Sequence, residues 1–404
     1  MSLQSNAEYE IEYEWSRSIS SRECVFTSTL QRWRKDSVIK VAQLRWGEKI
    51  GGVERVLRCI ASYIDREQFD VRFFFLGQGG PYENEMRKKG FHVTVIPARS
   101  GYDLHMRVDL LREMRAYHPD IIHDHGIPPF IRPILGFMTS SHLLSFEHGE
   151  IEINRQKHKP WLNWLKGWEY FFFCKRVLVN SIANKEMLEQ NNKRCAKKID
   201  VIPLGIDMKS FNVDRSIERD STYEGLVLGY VGRLQSYDKG IDFIPQLAHQ
   251  LRSHGFFDFK ILVIGDGPDR DALNELSSEL NVDEHIVCLG YRDDVAELMG
   301  EMDIVVIPSR SEAFGLIGIE ALAAGARVVA FSVEGLKETL ADCPGARLVP
   351  PGDIKEMTDA VLQIWKKVGK KRYSEGLNYV KDRFDAKRMV RDLEAIYCDV
   401  MDVN

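Results

Sequence analysis

The sequence has few cysteines and no long apolar run. Its seven cysteines are scattered through 404 residues, are odd in number and form no Cys-x-x-Cys pair, which argues against a zinc ribbon and a disulfide framework. No apolar stretch approaches the ~18 residues that span a bilayer, and no secretory signal pattern is visible. We therefore expect reduced thiols and a cytoplasmic location.

The composition is that of a globular protein, with 44% hydrophobic and 28% charged residues. A chain of 404 residues exceeds one ordinary hydrophobic core, so two domains are expected. The net charge of −5 hides a local excess, because residues 151–200 hold 11 basic and 5 acidic side chains. Such an excess suits a nucleic acid, an anionic membrane or an anionic substrate.

Strand and helix patterns alternate from Val38 onward, which predicts parallel sheets with helices on both faces. We interpret residues 1–37 as an extension outside the fold, disordered or partly left by cloning, and the polar residues 207–224 as a linker. The predicted strands are Val38–Leu44, Phe69–Leu76, Val93–Ile96, Ile121–Asp124, Leu143–Glu147, Arg176–Asn180 and Ile199–Pro203 before the linker, and Leu226–Val231, Lys260–Ile264, Ile286–Cys288, Ile304–Ile307, Val328–Phe331 and Arg347–Val349 after it.

Two glutamates flank the start of a predicted helix after the strand Ile304–Ile307. Glu312 lies in the turn before the helix, beside free backbone amides and the positive end of the helix dipole. Glu320 lies within the helix, where side chains lean back toward the N-terminus. The two carboxylates are therefore predicted to converge on one pocket, although a capping Glu312 and a solvated Glu320 would be the simpler interpretation.

A glycine-rich loop carrying Gly232, Arg233 and Lys239 follows the strand Leu226–Val231. The glycine permits a backbone turn against a ligand, and the two cations suit a phosphate leaving group where other enzymes use a metal. The alternative is a surface turn with solvated charges.

Two further candidates follow strands of the first predicted domain. Gly51 and Gly52 would let backbone amides approach a phosphate at a helix start, or would form an ordinary turn. His148 ends a predicted strand and so would point at a ligand cleft, or would serve as a structural hydrogen-bonding group.

Two motifs with metal-binding spacing are interpreted otherwise. His123 and His125 have the His-x-His spacing of zinc ligands, but no third ligand is evident, and we expect them to line the cleft. Asp269 and Asp271 have the Asp-x-Asp spacing of metal-dependent transferases, but they stand at a predicted helix start, where capping is the expected role.

Taken together, the motifs from Val38 to the C-terminus resemble those of the retaining GT-B glycosyltransferases of family 4, the glycosyl transferases of group 1. Glu312 and Glu320 match the family's Glu-x7-Glu motif, and Arg233 with Lys239 matches its Gly-Arg-Leu and Lys-Gly pattern. The resemblance implies an α/β fold of the GT-B type, with two doubly wound Rossmann-like domains facing a cleft. The acceptor-binding N-terminal domain would comprise residues 38–206 plus 386–404, since the family's last helix crosses back, and the nucleotide-sugar-binding domain residues 225–385.

The resemblance also implies roles for individual residues. Glu320 would hold the ribose hydroxyls of a nucleotide-sugar, and Glu312 with the following amides would hold the sugar and phosphate end. The implied catalytic residues are His148, Arg233, Lys239 and Glu312, and the implied donor-binding residues are Gly51, Gly52, Gly232, Arg233, Lys239, Phe314, Gly315, Leu316 and Glu320, with no metal ligand.

The predicted function is therefore retaining, metal-independent transfer of a hexosyl unit from a UDP- or GDP-sugar to a saccharide or lipid-linked acceptor, in cell-surface polysaccharide or glycoconjugate biosynthesis. No cofactor and no nucleic acid partner are expected. The alternatives are a nucleotide-sugar-binding protein or an epimerase of the same fold without transfer activity. A phosphorylase would need a cofactor lysine that the sequence does not place.

An aromatic segment, Lys157–Arg176, carries Trp161, Trp164, Leu165 and Trp168 on one helical face within the basic residues 151–200. Such helices lie on anionic membranes, which would place the protein peripherally at the inner membrane face. An interior helix packed on the sheet is the simpler interpretation, because a helix is required between the strands that end at Glu147 and Asn180.

Overall fold

The computed structural model describes residues 38–47, 52–79, 81–149, 160–211, 223–370 and 374–402. The predicted extension at residues 1–37, Gly51 and most of the predicted linker lie outside the described residues. Among the described helices, none combines the length and the hydropathy of a membrane span.

The first sheet has seven strands in the order β3-β2-β1-β4-β5-β6-β7, and the pairs from β3 to β5 are parallel. The order reverses between β1 and β4, which makes their carboxyl ends a topological switch point. The strands are β1 Ile39–Trp46, β2 Phe69–Leu76, β3 His92–Ile96, β4 Ile121–Asp124, β5 His142–Glu147, β6 Cys174–Val179 and β7 Ile199–Val201. The helices are α1 Gly52–Tyr63, α2 Pro81–Lys88, α3 Leu104–Tyr117, α4 Ile131–Met138, α5 Pro160–Phe173 and α6 Ile182–Asn191, followed by a 3-10 turn at Lys193–Lys198.

The second sheet has six parallel strands in the order β10-β9-β8-β11-β12-β13, with its switch point between β8 and β11. The strands are β8 Leu226–Val231, β9 Phe259–Ile264, β10 Ile286–Gly290, β11 Ile304–Ile307, β12 Arg327–Phe331 and β13 Ala346–Val349. The helices are α7 Ser236–Lys239, α8 Phe243–Ser253, α9 Arg270–Glu279, α10 Val295–Glu301, α11 Leu316–Ala323, α12 Glu334–Leu340, α13 Ile354–Val368, α14 Glu375–Phe384 and α15 Ala386–Asp402.

The alternation of strands and helices predicted from the sequence is confirmed in both sheets. The central strands β8 and β11 of the second sheet are apolar throughout because helices cover both of their faces. Val41 and Leu44 of β1 and Ile261 and Val263 of β9 are fully buried. Ligands of such sheets bind where the carboxyl ends of the strands meet.

The chain divides into two compact units. The first contains the described residues of Met1–Leu178, Asn191–Ile202 and Arg388–Asn404, and the second contains those of Val179–Gln190 and Pro203–Lys387. Residues 179–190, predicted within the N-terminal domain, thus group with the second unit, where the Glu338 carboxylate accepts hydrogen bonds from the Ile182 and Ala183 amides at the start of α6.

The last helix, α15, belongs largely to the first unit. The Tyr397 ring packs edge-on against Phe69 at 5.8 Å, and the Glu394 carboxylate accepts a hydrogen bond from the Asp65 amide at 2.7 Å. These contacts fasten α15 beside β1 and β2.

Helix α5 occupies the place in the chain that the sequence predicted, between β5 and β6. An interior helix would bury its aromatic face, yet Trp161 and Trp164 are 56% and 60% exposed, whereas Asn163 and Lys166 are buried. The expectation of an interior helix is therefore wrong for the aromatic side, because charged partners beneath α5 select its polar side.

Candidate active site

Two loops that the sequence marks as candidate sites meet at the switch point of the second sheet. Lys239 ends α7 after β8, Glu312 lies in the turn after β11, and Lys239 Nζ stands 2.7 Å from Glu312 Oε1. The Ser309 hydroxyl donates a second hydrogen bond to the same oxygen at 3.1 Å. The ion pair therefore joins loops that are 73 residues apart in sequence.

Backbone hydrogen bonds hold these two loops together. The Asp238 carbonyl accepts from the amides of Arg310 and Ser311 at 2.8 and 3.2 Å. The Arg310 guanidinium also forms a two-point ion pair with Asp242, at 2.7 Å for each contact. Arg310 was not predicted from the sequence, although its position inside the Glu312 turn was an available signal.

Glycines allow the close approach of the elements around Glu312. Gly240 has φ 63°, and a Cβ there would lie 2.0 Å from the Pro308 carbonyl oxygen. Gly315 has φ 88°, and a Cβ there would lie 2.3 Å from Leu336 Cδ2. Gly335, which the sequence analysis did not identify, lets α12 approach the turn, because its Cβ would lie 2.3 Å from the Glu312 carbonyl oxygen.

The two cations of the loop differ in their environment. Burial would lower the pKa of Lys239, but the Glu312 carboxylate and Asp238 outweigh it, so the pKa is raised and the ammonium stays charged. Arg233 is exposed and makes no ion pair with any residue that the structure describes. Its charge, together with the amides at the start of α11, makes this edge of the sheet suited to an anion.

The other predicted donor-site residues of the second unit follow β8 and β11 in the chain. Gly232 directly follows β8 and donates its amide hydrogen to the Ile264 carbonyl at 3.0 Å. Glu320 lies in α11 with 6% exposure, so it is not on a solvated face. Phe314 is 2% exposed with its ring 5.9 Å from that of Phe384, so only its backbone can meet a ligand, and Leu316 is buried at the first position of α11.

Asp269 stands at the N-cap position of α9, but its side chain makes no capping hydrogen bond. Its carboxylate accepts a hydrogen bond from the Ser236 amide at 2.6 Å, at the first residue of α7, and so supports the turn that carries Lys239. The predicted position at a helix start is confirmed, with Asp271 in the first turn of α9, but the Asp269 carboxylate bonds to the Ser236 amide and not to an amide of its own helix. Within the described ranges, no group of three or more His, Cys, Asp or Glu residues could hold a metal ion.

The His123-Asp124-His125 segment of the first sheet does not line a cleft, as its three side chains are fully buried. The expectation was wrong because these side chains have partners inside the unit. Asp124 accepts two hydrogen bonds from Arg132 at 2.9 and 2.7 Å. The two histidines join a separate network.

That network connects α15 to His148. Gln43 Nε2 donates to the Tyr397 hydroxyl at 2.7 Å, and Tyr397 lies 2.7 Å from His123 Nδ1. Gln43 Oε1 lies 2.7 Å from His125 Nε2, and His125 Nδ1 lies 3.2 Å from His148 Nε2. His148 is itself half-buried, directly after β5, where the sequence placed it.

The orientation of the Gln43 amide sets the tautomers of this network. With the amide oxygen toward His125, as the structure has it, His125 Nε2 carries a proton, so His125 Nδ1 accepts from His148 Nε2, and a neutral His148 has Nδ1 as its acceptor nitrogen. Burial, followed by the neighbouring His123, His148 and Arg45, lowers the pKa of His125 well below its usual value. His125 therefore stays neutral at physiological pH and keeps the acceptor that His148 needs.

Replacing Gln43 with methionine is expected to lower the free energy of unfolding by about 1–3 kcal/mol, because buried Tyr397 and His125 both lose a hydrogen-bond partner. The assigned His148 tautomer should also lose its dominance, which ¹⁵N NMR of the imidazole nitrogens measures. The control is Gln68→Met, since the Gln68 side chain donates only a long hydrogen bond to Cys398 Sγ of α15, at 3.6 Å, among the hydrogen bonds of the described residues. An unchanged tautomer in Gln43→Met would contradict the network.

The remaining candidates of the first unit lie beside β1. Gly52 is the exposed first residue of α1, whereas Gly51 is outside the described part of the chain. Arg45 donates to the His125 carbonyl at 2.6 Å and pairs with buried Glu54 at 3.4 Å. Through these contacts Arg45 joins the first turn of α1 to the end of β4, an arrangement that was not predicted from the sequence.

Sequence comparison identifies the family of both units. The profile described as Glycosyltransferase Family 4 matches residues 50–210, and the profile described as Glycosyl transferases group 1 matches residues 225–367. An uncharacterized glycosyltransferase of Methanocaldococcus jannaschii is 35% identical over 207 residues, which are 48% of this chain and 52% of that protein. D-inositol 3-phosphate glycosyltransferase of Corynebacterium kroppenstedtii is 30% identical over 243 residues, 56% of this chain and 53% of that protein. The chain spans about half the length of these relatives.

Solved structures share the fold at low sequence identity. Anabaena Alr3699/HepE in complex with UDP and glucose matches with a TM-score of 0.76 and 19% identity, over 89% of this chain and 100% of that one. A glycosyltransferase from Rickettsia africae matches with a TM-score of 0.73 and 20% identity, over 91% of this chain and 100% of that one. With two Rossmann-like sheets, the Lys239–Glu312 site and matches to profiles for both of its halves, the chain belongs to the group 1, family 4 glycosyltransferases and has their GT-B fold.

Proposed function

We propose that the protein is a retaining, metal-independent glycosyltransferase that moves a hexosyl unit from a nucleotide-diphosphate sugar to an acceptor hydroxyl. The observation that carries the proposal is the 2.7 Å pair between Lys239 and Glu312 at the switch point of the second sheet. It brings a cation for a phosphate and a carboxylate for a sugar hydroxyl to one place. Arg233 adds a second, exposed cation to the same loop.

The residues of this loop suit a reaction in which negative charge grows on a phosphate. The bond from the anomeric carbon to the β-phosphate oxygen breaks, and the bond to the acceptor oxygen forms on the same face of the sugar. The acceptor proton passes to the departing phosphate oxygen, so no side chain is required as a nucleophile. Arg233 and Lys239 would stabilise the leaving group, and preorganised charges of this kind act most strongly on developing charge.

The donor we propose is a UDP- or GDP-hexose, with Glu320 accepting hydrogen bonds from the ribose hydroxyls. The UDP and glucose of the Anabaena structure support the UDP form. The acceptor would be a saccharide or a lipid-linked saccharide of cell-surface polysaccharide or glycoconjugate biosynthesis, reached from the cytoplasm. His148, with Nδ1 as its acceptor nitrogen, is the residue of the first unit that we assign to the transferred sugar.

A nucleotide-sugar-binding protein or an epimerase of the same fold is the alternative. It would bind the donor without transferring the sugar. A panel of nucleotide-sugars, screened by thermal shift for binding and by nucleotide release for hydrolysis and transfer, separates these functions. Binding without nucleotide release for every sugar and acceptor offered would reject the transferase, and an α-configured product from an α-configured donor, read by NMR, supports retention.

Replacing Glu320 with glutamine is expected to weaken binding of the preferred donor by about 10- to 100-fold, because a charged acceptor of hydroxyl hydrogen bonds is worth about 1.5–3 kcal/mol. Glutamine keeps the shape of this buried side chain. Titration calorimetry measures the dissociation constant, and Glu297→Gln, on the exposed side of α10, is the matched control. Equal affinity of the folded Glu320→Gln protein and the wild type would remove Glu320 from the site.

A further inference from the structure

Helix α5 presents its aromatic side to solvent. Trp161, Trp164 and Phe172 are 56%, 60% and 58% exposed, and Trp168 lies between them on the same helical face. The rings contact one another, with centroid distances of 5.6 Å from Trp164 to Trp168 and 5.0 Å from Trp168 to Phe172. Exposed aromatic side chains in one contiguous group mark an interaction surface.

Buried ion pairs hold α5 in this orientation. Lys166 Nζ lies 3.2 Å from Glu147 Oε2, and the Tyr170 hydroxyl donates to the same oxygen at 2.8 Å. Glu169 accepts from Arg132 at 3.0 Å. Rotating the helix to bury its tryptophans would separate Lys166, Glu169 and Tyr170 from their partners. Charged groups would then remain in the interior without a counter-charge. The outward aromatic side is therefore a property of the folded unit.

The surface continues onto α4. Phe137 is 79% exposed, Met138 is 47% exposed, and the rings of Phe137 and Phe173 lie 5.1 Å apart. A Cβ at Gly136 would lie 2.6 Å from the Phe173 ring, so the glycine permits this packing. We define the aromatic face by its members Phe137, Met138, Trp161, Trp164, Trp168, Phe172 and Phe173.

Cations border the aromatic face. The 3-10 turn Lys193–Lys198 is fastened to α5 by Cys195, whose thiol donates to the Gly167 carbonyl at 3.2 Å, and the Arg194 guanidinium lies 5.4 Å from the Trp168 ring centroid. Lys193, Arg194 and Lys197 are exposed. In α4, α5 and this turn, all within the described residues, Glu169 is the only carboxylate, and it is buried and paired.

We propose that the aromatic face docks onto an anionic phospholipid bilayer. Indole rings favour the headgroup region, where an apolar body and a polar N–H are both accommodated, and lysine and arginine beside them attract acidic lipid headgroups. A surface with exposed cations, exposed aromatic rings and no exposed carboxylate has the charge that complements such a bilayer. Docking requires only the first unit and is independent of the proposed transfer reaction.

The test is co-sedimentation of the full-length protein with phosphatidylcholine vesicles, with and without phosphatidylglycerol, at about 0.05 and 0.5 M NaCl. We expect partitioning that requires phosphatidylglycerol, weakens at high salt and shifts tryptophan fluorescence to the blue. Absence of binding to phosphatidylglycerol vesicles at low salt overturns the proposal. Salt-independent binding to phosphatidylcholine alone overturns its electrostatic part.

Variants locate the contact. The double variant W161E/W164E should partition about tenfold or more weakly, since two rings leave the interface and two negative charges enter it, and K193E/K197E should lose the dependence on phosphatidylglycerol. Matched controls are Phe257→Glu, whose phenyl ring is 60% exposed in the second unit, and Lys355→Glu on α13. The alternative occupant of the aromatic face is a second copy of this chain, and light scattering tests it by measuring the oligomeric state. A wild-type dimer that is lost in W161E/W164E would overturn bilayer docking.

Discussion

Replacing Lys239 with alanine is expected to lower the turnover number for glycosyl transfer by about 10²–10³-fold, because one preorganised charge on a departing phosphate is worth that much. Arg233→Ala should cost a similar factor. The two variants should differ in stability. Lys239→Ala removes the 2.7 Å ion pair with Glu312, whereas Arg233 has no ion-pair partner among the residues described. Only Arg233→Ala should therefore unfold like the wild type. Steady-state kinetics with the donor chosen by the panel measures the effect.

Two comparisons sharpen this experiment. Lys355→Ala removes an exposed lysine of α13 and should leave turnover unchanged. EDTA should also leave the wild-type rate unchanged, since in the proposed mechanism two cations take the role that a metal has in other transferases. An activity that EDTA abolishes and Mg²⁺ or Mn²⁺ restores would refute the metal-independent mechanism, and a full rate in both alanine variants would refute the role of this loop.

Replacing Arg132 with methionine is expected to lower the free energy of unfolding by about 3–5 kcal/mol, because Asp124 and Glu169 would be left in the interior without a counter-charge. All three side chains are at most 3% exposed. Burial would lower the pKa of Arg132, but the two carboxylates and Tyr170 raise it well above its usual value, so the wild-type residue is charged at every pH at which the protein folds. Urea denaturation measures the change.

Arg112→Met is the control, because its ion pair with Asp109 at 3.1 Å is exposed and should contribute less than about 1 kcal/mol. The triple variant R132M/D124N/E169Q tests the cause. If the loss comes from uncompensated charge, neutralising both carboxylates recovers part of the stability. No recovery would instead assign the loss to the packing of the guanidinium over the Tyr170 ring, at 4.9 Å.

The site of the second unit was largely predictable, since its parts are local. Gly315 stands directly before α11 with a positive φ that glycine favours, and strand ends are marked by the change from apolar to polar residues. Predicting the ion pair between Lys239 and Glu312 also requires knowledge of the strand order. The β8 and β11 strands are neighbours only because the sheet reverses its order there.

Other features of the site had no local signal. Gly335 has no motif around it in the sequence, and only the structure shows that it lies against the Glu312 turn. Asp269 had the sequence context of a helix cap, yet it bonds to the start of α7. His123 and His125 had the spacing of metal ligands, but burial among Gln43 and Tyr397 makes them part of a hydrogen-bond network.

The sequence by itself determined the alternation of strands and helices, the two sheets and the loops that carry Arg233, Lys239 and Glu312, because periodicity and glycine placement act over a few residues. Tertiary structure alone decided which side of α5 faces outward, since a helical pattern shows that two faces differ but not what lies beneath them. In this protein Glu147 and Arg132 lie there, and each must be paired when buried. The cost of an unpaired buried charge exceeds the gain from burying the tryptophans, so the polar side of α5 turns inward and the aromatic side meets the solvent.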